Sequence, residues 1–216
     1  MILTRHQIVE LIDSGVILFS PELDGFQNQP HAIDLRLGTV FYLSKTWEQT
    51  SEGRKILTVD MTDKNRENSE KIEIKPGQYF ELAPGESVTA STLERVEIRA
   101  GNLMGVLYPR SSTNRRGLSV DMTGIVDAGY HGHLMVPIIN KTQSQIIRLY
   151  PGERVCQIVF HLLSDSLTET DMKKHGKTVA KYHDAGDGDL GSRPDSDEEM
   201  ELIRRGNLKE LKKTKF

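Results

Sequence analysis

Arginine and serine side chains are concentrated in one short run near the middle of the chain, PRSSTNRRG, which contains Arg110, Ser111, Ser112, Arg115 and Arg116. Arginine presents a planar fork of N–H donors and serine a compact hydroxyl donor. Together they suit an anion with several oxygens. The run therefore indicates a local phosphate-binding site.

A carboxylate and an aromatic ring follow this run in the sequence GIVDAGYHG. Asp127 stands where an apolar segment ends and a glycine-rich turn begins, and Tyr130 comes three residues later. A rigid strand could present a carboxylate to a ligand at such a point. The alternatives are an acid that only caps the turn and a tyrosine that only fills the core.

The composition limits the classes of protein to consider. A formal net charge of -3 argues against a general nucleic-acid binder, which would have a basic excess. No apolar run approaches the roughly 20 residues of a membrane helix, and the first residues, MILTRHQIVE, are not typical of a signal peptide. The single cysteine, Cys156, fits a reducing cytoplasm and a buried, inert thiol. The seven histidines lack the spacing of a zinc deaminase site.

The elements that position these residues are mainly strands. Thr4 and Gln7 form a capping-box signal and Gly15 a stop, so residues 4–14 are predicted to form a short helix. From residue 71 onward, β-rich runs are separated by Pro-Gly turns at residues 76–77, 84–85 and 151–152. Short strands at this spacing indicate a β-barrel or sandwich. Residues 91–94 could form one helical turn, and strands are expected at 132–140, 145–150 and 154–163.

An earlier strand is predicted in HAIDLRLGTVFYL, where apolar residues alternate with Asp34 and Arg36. These two charged residues share one face, which is interpreted as a solvated strand edge. Residues 44–71 are polar and are expected to form a mobile hairpin or insertion.

Three parts of the chain are distinguished by composition. Residues 1–163 are expected to form the β-domain. Residues 164–194 are polar and glycine-rich, and we expect a flexible arm that orders over a ligand. Residues 195–216 are expected to form an appended polar helix, since Ser196 and Glu199 provide capping chemistry with acids early and bases late.

Five ordered blocks resemble the superfamily that contains dUTPase and dCTP deaminase. HAIDLRLG after the first helix, PGESVTASTLERVEI followed by PRSST, and KYHDAGDGDLGSR resemble the deaminase branch. GIVDAGYHGHLMVPIIN and PGERVCQIVF are more similar to dUTPase. The resemblance extends to about Arg193 and implies a distorted β-barrel or jelly-roll subunit. It also implies a homotrimer with active sites between subunits, no zinc, and a triphosphate bound with Mg²⁺.

The resemblance also assigns roles to the phosphate side of the site. Arg110, Ser111 and Ser112 match an arginine-serine motif that holds phosphates. Gln157 matches a glutamine that contacts phosphate from a neighbouring subunit. The remaining matches are Lys181 and Tyr182, which correspond to tail residues that close over the triphosphate, and Arg115, which falls where the deaminases have a functional arginine.

Other residues match the water, sugar and base positions. Asp127 matches the dUTPase acid that orients and deprotonates the attacking water, and Tyr130 the aromatic that packs under the deoxyribose. Asp121 and Gly124 lie near the position where dUTPases recognise the base. A carboxylate only accepts hydrogen bonds, so Asp121 favours a base that presents an amino donor, such as cytosine. The alternative is an Asp121 that faces solvent or another subunit.

Two departures from the family pattern bear on the reaction. Where the deaminases have a glutamate that activates water for attack on cytosine, this chain has Pro137, and its strand contains no other acid. Loss of a general acid or base typically removes a factor of about 10²–10⁴ from the rate. The tail, HDAGDGDLG, lacks both the expected glutamine and the phenylalanine-containing glycine motif of dUTPase.

These features predict a deoxynucleoside triphosphate diphosphatase that converts dUTP to dUMP and pyrophosphate. dCTP or a modified pyrimidine nucleotide is the other substrate considered. The alternatives are a dCTP deaminase that produces dUTP and a catalytically silent regulator that binds a nucleotide.

Overall fold

The fold is that of a computed structural model. It describes residues 1–60, 69–120, 124–175, 178–179, 184–185 and 195–213.

The strands are β1 (Ile17–Ser20), β2 (Ile33–Ser44), β3 (Trp47–Thr50), β4 (Gly53–Ile56), β5 (Ser69–Glu73), β6 (Phe80–Leu82), β7 (Ser87–Ile98), β8 (Leu103–Pro109), β9 (Leu118–Val120), β10 (Ile125–Val126), β11 (His131–Asn140), β12 (Ile147–Leu149), β13 (Arg154–Leu162), β14 (Lys174–His175), β15 (Thr178–Val179) and β16 (Asp184–Ala185). The helices are α1 (Arg5–Asp13), α2 (Ser111–Asn114), α3 (Glu169–Met172), α4 (Asp197–Arg204) and α5 (Leu208–Leu211).

Helix α1 forms where its caps predict it. The Oε1 atom of Gln7 accepts hydrogen bonds from the backbone N–H of Thr4 at 3.0 Å and from its hydroxyl at 3.1 Å. The helix ends before Gly15, whose φ of 72° is the left-handed conformation favoured by glycine. Ile8 is fully buried and anchors the helix to the core.

One ten-stranded sheet contains most of the core, in the order β10-β8-β13-β2-β7-β11-β16 with β1, β5 and β9 attached at the sides. Along β11, exposed or half-buried residues alternate with buried ones, as expected for a strand with one face in the core. Cys156 lies fully within this core, and burial raises the pKa of its thiol to about 12. The predictions of a mainly β fold and of a buried Cys156 are confirmed.

The long strands β2 and β7 approach each other closely at Gly38. A Cβ atom placed there would lie 2.6 Å from the Ser91 hydroxyl and 2.8 Å from the Thr92 carbonyl oxygen. The register of the two strands shifts between Leu37 and Phe41, on either side of this point. Glycine is therefore required where the two strands change register.

The prediction of a helical turn at residues 91–94 is wrong, because these residues lie within β7. Thr92 pairs with Leu37 of β2, and Ser91 pairs with Met135 of β11. Pairing on both sides, with Ser91 and Thr92 buried, outweighs the local turn preference.

The segment at 44–71 contains the expected hairpin, formed by β3 and β4. Residues 61–68 lie outside the described part of the chain.

The C-terminal part differs in one respect from the prediction of a single helix. Ser196 caps α4 by accepting a hydrogen bond from the Glu199 N–H at 3.3 Å, but the helix ends before Gly206 and α5 follows. Gly206 has a φ of 68°, which stops the first helix.

Much of the predicted arm lies outside the described residues, and the three domain boundaries stay predictions. No described helix is long and apolar enough to cross a membrane.

Candidate active site

Three neighbouring strands bring the predicted phosphate ligands together. Gln157 of β13 pairs with Tyr108 of β8 on one side and with Asp34 of β2 on the other. Arg110 follows the end of β8 and leads into α2, which contains the two serines. Together with residues 29–32, these groups line an open cleft of about 280 Å³. The cleft-lining residues are Gln29, Pro30, His31, Ala32, Asp34, Arg110, Ser111, Ser112 and Gln157.

Arg110 is held from one side and open to the cleft on the other. Its Nε atom lies 3.1 Å from Oδ2 of Asp34, and its Nη1 atom donates to the Arg154 carbonyl oxygen at 2.8 Å. A guanidinium group has five N–H donors, so these contacts leave the other three for a ligand. The side chain is 24% exposed. Arg110 is thus a preoriented cation in the wall of the cleft.

Asp34 is a buried carboxylate shared by two arginines. It is 2% exposed, and its Oδ2 atom also lies 3.2 Å from Nη1 of Arg154. Burial raises the pKa of Asp34 above its ordinary value, while Arg110 and Arg154 act in the opposite direction.

The interpretation of Asp34 and Arg36 as a solvated strand edge is wrong, because Asp34 is buried. Arg36 is bound to Asp24 at 2.6 Å and to the Gly152 carbonyl oxygen at 2.6 Å.

Among the described residues, the other predicted phosphate ligands at the cleft are Ser111, Ser112 and Gln157. Ser111 and Ser112 are exposed. Within the described part of the chain, the Nε2 atom of Gln157 donates one long hydrogen bond, 3.4 Å to the Pro109 carbonyl oxygen. Gln157 and Arg110 of the same chain thus line one cleft, and the contact of Gln157 with phosphate from a neighbouring subunit stays a prediction. Arg115, predicted to be catalytic, is exposed at the end of α2 and does not line this cleft.

The predicted water and sugar residues form a second group beside the other end of β8. The Leu107 N–H donates to the Gly124 carbonyl oxygen at 3.0 Å, and β10 pairs with β8 through Val126 and Gly105. Asp127 follows β10 and is half-buried. A turn closes through a 3.1 Å hydrogen bond from the Tyr130 N–H to the Asp127 carbonyl oxygen.

Tyr130 is part of the core of this chain. It is 9% exposed, and its hydroxyl donates to the His133 carbonyl oxygen at 2.7 Å. Burial raises the pKa of Tyr130 to about 12, so the phenol stays protonated at neutral pH. The contact of Tyr130 with a deoxyribose stays a prediction.

The two groups are well separated within one chain. Val126, which precedes Asp127, pairs with Gly105, five residues before Arg110. At 3.4 Å per residue in an antiparallel strand, this places the two groups about 17 Å apart along β8. The single chain therefore does not bring Asp127 to the Arg110 cleft.

Pro137 lies in β11 with its ring exposed, opposite Thr89 of β7. The strand HGHLMVPIIN contains no aspartate or glutamate. No side chain of this strand can therefore act as a carboxylate base.

Three predicted site residues, Asp121, Lys181 and Tyr182, lie outside the described residues. In the described part of the tail, β16 pairs in parallel with His131 and Gly132 at the start of β11. This pairing places β16 near the turn that contains Asp127 and Tyr130.

Asp34 and residues 29–32 are the parts of the cleft that sequence reasoning missed. The signal for Asp34 was its place in an apolar strand, HAIDLRLG, but alternation alone favours an exposed acid there. Its burial depends on Arg110 and Arg154, which are far away in the sequence.

Comparisons with known proteins agree with this architecture. A family model described as dCTP deaminase-like matches residues 2–163. A protein of Methanopyrus kandleri named "dCTP deaminase, dUMP-forming" is 34% identical over 186 residues, which cover 84% of this chain and 90% of the relative. A protein of Dictyoglomus thermophilum with the same name is 37% identical over 186 residues, which cover 85% and 90%.

A solved structure has a similar fold. The 2'-deoxycytidine 5'-triphosphate deaminase of Agrobacterium tumefaciens matches with a TM-score of 0.57 at 23% identity, over 74% of this chain and 48% of that one. The match thus spans about half of that structure, and it confirms the predicted dUTPase-like type of β fold. This chain belongs to the dCTP deaminase-like family, within the superfamily that contains dUTPase and dCTP deaminase.

Proposed function

We propose that this protein hydrolyses a pyrimidine deoxynucleoside triphosphate to the monophosphate and pyrophosphate. dUTP is the leading substrate, and dCTP or a modified pyrimidine nucleotide is the other candidate. The observation that supports hydrolysis over deamination is Pro137, because β11 provides no carboxylate to activate water for attack on the base.

The cleft provides the contacts for the triphosphate. Arg110 has three unused N–H donors, and the serine hydroxyls and the Gln157 amide lie on the same cleft. Donors already in place stabilise charge that develops on the phosphate oxygens during the reaction without reorganising. We assign Arg110, Ser111, Ser112 and Gln157 to this role.

Asp127 is the proposed general base. Its carboxylate accepts a proton from water, the water oxygen bonds to the α-phosphorus, and the α–β phosphoanhydride bond breaks. Pyrophosphate leaves and the monophosphate keeps the new oxygen. The base of the nucleotide is unchanged.

The separation of the two groups supports active sites between subunits. Asp127 lies about 17 Å along β8 from the Arg110 cleft, so water activation and phosphate binding fit one site more readily when two chains contribute. We propose a homotrimer in which one subunit provides the cleft and its neighbour provides Asp127.

Mg²⁺ is proposed to bind through the nucleotide. Within the described ranges, no group of three or more His, Cys, Asp or Glu side chains could hold a metal ion. Mg²⁺ in nucleotide sites is held largely by phosphate oxygens and water, which fits a cleft of arginine, serine and glutamine donors. When bound, it neutralises part of the phosphate charge.

The test is product analysis with each deoxynucleoside triphosphate and Mg²⁺, by chromatography and pyrophosphate detection. We expect a pyrimidine monophosphate and pyrophosphate with the base intact. Asp127→Asn should lower kcat by about 10²–10⁴-fold while nucleotide binding persists, as for loss of a general base.

The matched control is Asp13→Asn, the same change at an exposed helix end, which should leave turnover unchanged. Ammonia and dUTP from dCTP, without pyrophosphate, would contradict the proposal. Unchanged turnover in Asp127→Asn would remove that residue from the mechanism. Binding without any product would indicate a regulator.

The second candidate is formation of dUMP from dCTP, which is favoured by the names of the relatives. It would release both ammonia and pyrophosphate. Asp121→Asn tests whether Asp121 selects cytosine over uracil. If the native chain strongly prefers dUTP and the variant keeps this preference, Asp121 has no role in selecting cytosine.

A further inference from the structure

Two of the most deeply buried polar side chains have no part in the reaction proposed above. Glu94 of β7 is 1% exposed, and Gln27, in the loop before β2, is 2% exposed. Burial raises the pKa of Glu94, and the Arg36 N–H and Gln27 oppose that shift. Burying such groups is unfavourable unless they are hydrogen-bonded, so their contacts indicate what they stabilise.

Gln27 holds the backbone of Asp34 at both of its polar groups. The Asp34 N–H donates to the Gln27 carbonyl oxygen at 2.8 Å, and the Gln27 Nε2 donates to the Asp34 carbonyl oxygen at 2.9 Å. One residue therefore fixes the position of Asp34 on β2.

Glu94 fixes Gln27 in turn. Its Oε1 atom accepts from Gln27 Nε2 at 2.7 Å, and its Oε2 atom accepts from the Arg36 backbone N–H at 2.9 Å. Both carboxylate oxygens thus bind groups that flank Asp34 in space. This buried chain of contacts ends at Arg110, whose Nε lies 3.1 Å from Asp34.

We propose that Glu94 and Gln27 are positioning residues for the triphosphate: they fix Asp34, and Asp34 holds Arg110 with its free N–H donors directed to the cleft. The inference rests on the proposed phosphate-binding role of the cleft. Neither residue lines the cleft, so each acts through Arg110.

Glu94→Gln is the informative change because it keeps the shape of the side chain. An amide presents one acceptor oxygen and one NH₂ group, so it can serve only one of the two donors that now face Glu94. We expect KM for the triphosphate to rise by about tenfold, with a smaller change in kcat. A role in overall stability alone would not produce this split.

A double-mutant cycle tests whether the effect passes through Arg110. Because Arg110→Gln is expected to be inactive, the cycle is measured in dissociation constants for dUTP. In the Arg110→Gln background, Glu94→Gln should change this constant by less than about twofold, since the group it positions is gone. An equal rise in both backgrounds, or no rise in the native background, would overturn the inference. If Glu94→Gln does not fold by circular dichroism, Gln27→Asn takes its place in the same cycle.

The matched control is Glu97→Gln, the same change on the same strand at a half-buried carboxylate that accepts a hydrogen bond from Arg99 Nε at 2.6 Å. It should leave KM unchanged, and an equal rise there would also overturn the inference. If the native protein releases no pyrophosphate, the proposed reaction fails, but the same cycle in dUTP dissociation constants, by equilibrium dialysis, still decides the positioning role.

Discussion

Asp34 is an unexpected neighbour for a phosphate site, since a carboxylate repels the anion that Arg110 is proposed to bind. The contacts resolve this conflict. One carboxylate oxygen faces both Arg110 and Arg154, so the three side chains together have a net positive charge. Asp34 thereby orients an arginine without cancelling the charge of the cleft.

Glu94 leads to a prediction about pH. Burial raises the pKa of Glu94 above its ordinary value of 4.5. A carboxyl group whose pKa is higher in the folded protein than in the unfolded chain stabilises the fold at pH values below the pKa of the unfolded chain. This contribution is lost as the pH rises through the pKa of the folded protein. The free energy of unfolding of the native protein, compared with that of Glu94→Gln, should therefore fall as the pH rises above 4.5. Urea denaturation across this range measures the difference.

The control for that experiment is Glu52→Gln, at an exposed residue of the β3–β4 turn. Its stability should follow that of the native protein at every pH. Parallel curves for the native protein and Glu94→Gln would show that the buried carboxyl does not titrate differently in the fold.

At the scale of elements, the close approach of β2 and β7 gives a stability prediction. In Gly38→Ala, the new methyl group would lie 2.6 Å from the Ser91 hydroxyl and within 2.9 Å of two backbone oxygens. Moving two strands apart in a packed sheet is energetically unfavourable, so we expect the free energy of unfolding to fall by about 1–3 kcal/mol. Guanidinium denaturation provides the measurement.

Gly25→Ala is the matched control, because a Cβ atom there would meet nothing within 4 Å. Its stability should stay within about 0.5 kcal/mol of the native value. Equal stability of the two variants would mean that β2 and β7 tolerate a side chain at their closest approach.

The same two strands show what could be predicted from the sequence. Period-two alternation predicted β2, β-rich runs predicted β11 and β13, and capping residues predicted α1. Residues 91–94 were misassigned because their pairing partners on β2 and β11 are distant in the sequence.

The candidate site also contains residues that the sequence predicted and residues that it did not. Arg110, the serines and Gln157 were predicted from motifs and do share a cleft. The burial of Asp34 and Glu94 could not be predicted, because it depends on Gln27, Arg110 and Arg154, which only the fold brings close. Local sequence indicates candidate phosphate ligands. It does not indicate which buried residues hold those ligands in place.

At the scale of the whole molecule, shared active sites predict complementation between inactive chains. Arg110→Gln and Asp127→Asn should each be inactive alone. Co-expressed in equal amounts, they should regain activity, since random assembly of a cyclic oligomer leaves about a quarter of the sites with both native residues. Pyrophosphate release from the mixture measures the recovery.

A mixture of two differently tagged Arg110→Gln chains is the control and should stay inactive. If each chain contained its own complete site, the mixed variants would also stay inactive, because every chain would then have one defective residue. That result would contradict the shared site.

The placement of the cleft and Asp127 at opposite ends of β8 has a genetic consequence. In a cell with one native and one Asp127→Asn allele, each defective chain would inactivate the site to which it gives the acid, while its own cleft could still work with a native neighbour. Activity would then fall in proportion to the dose of the defective chain. Such an allele would be inherited as a dosage effect rather than as a dominant-negative trait.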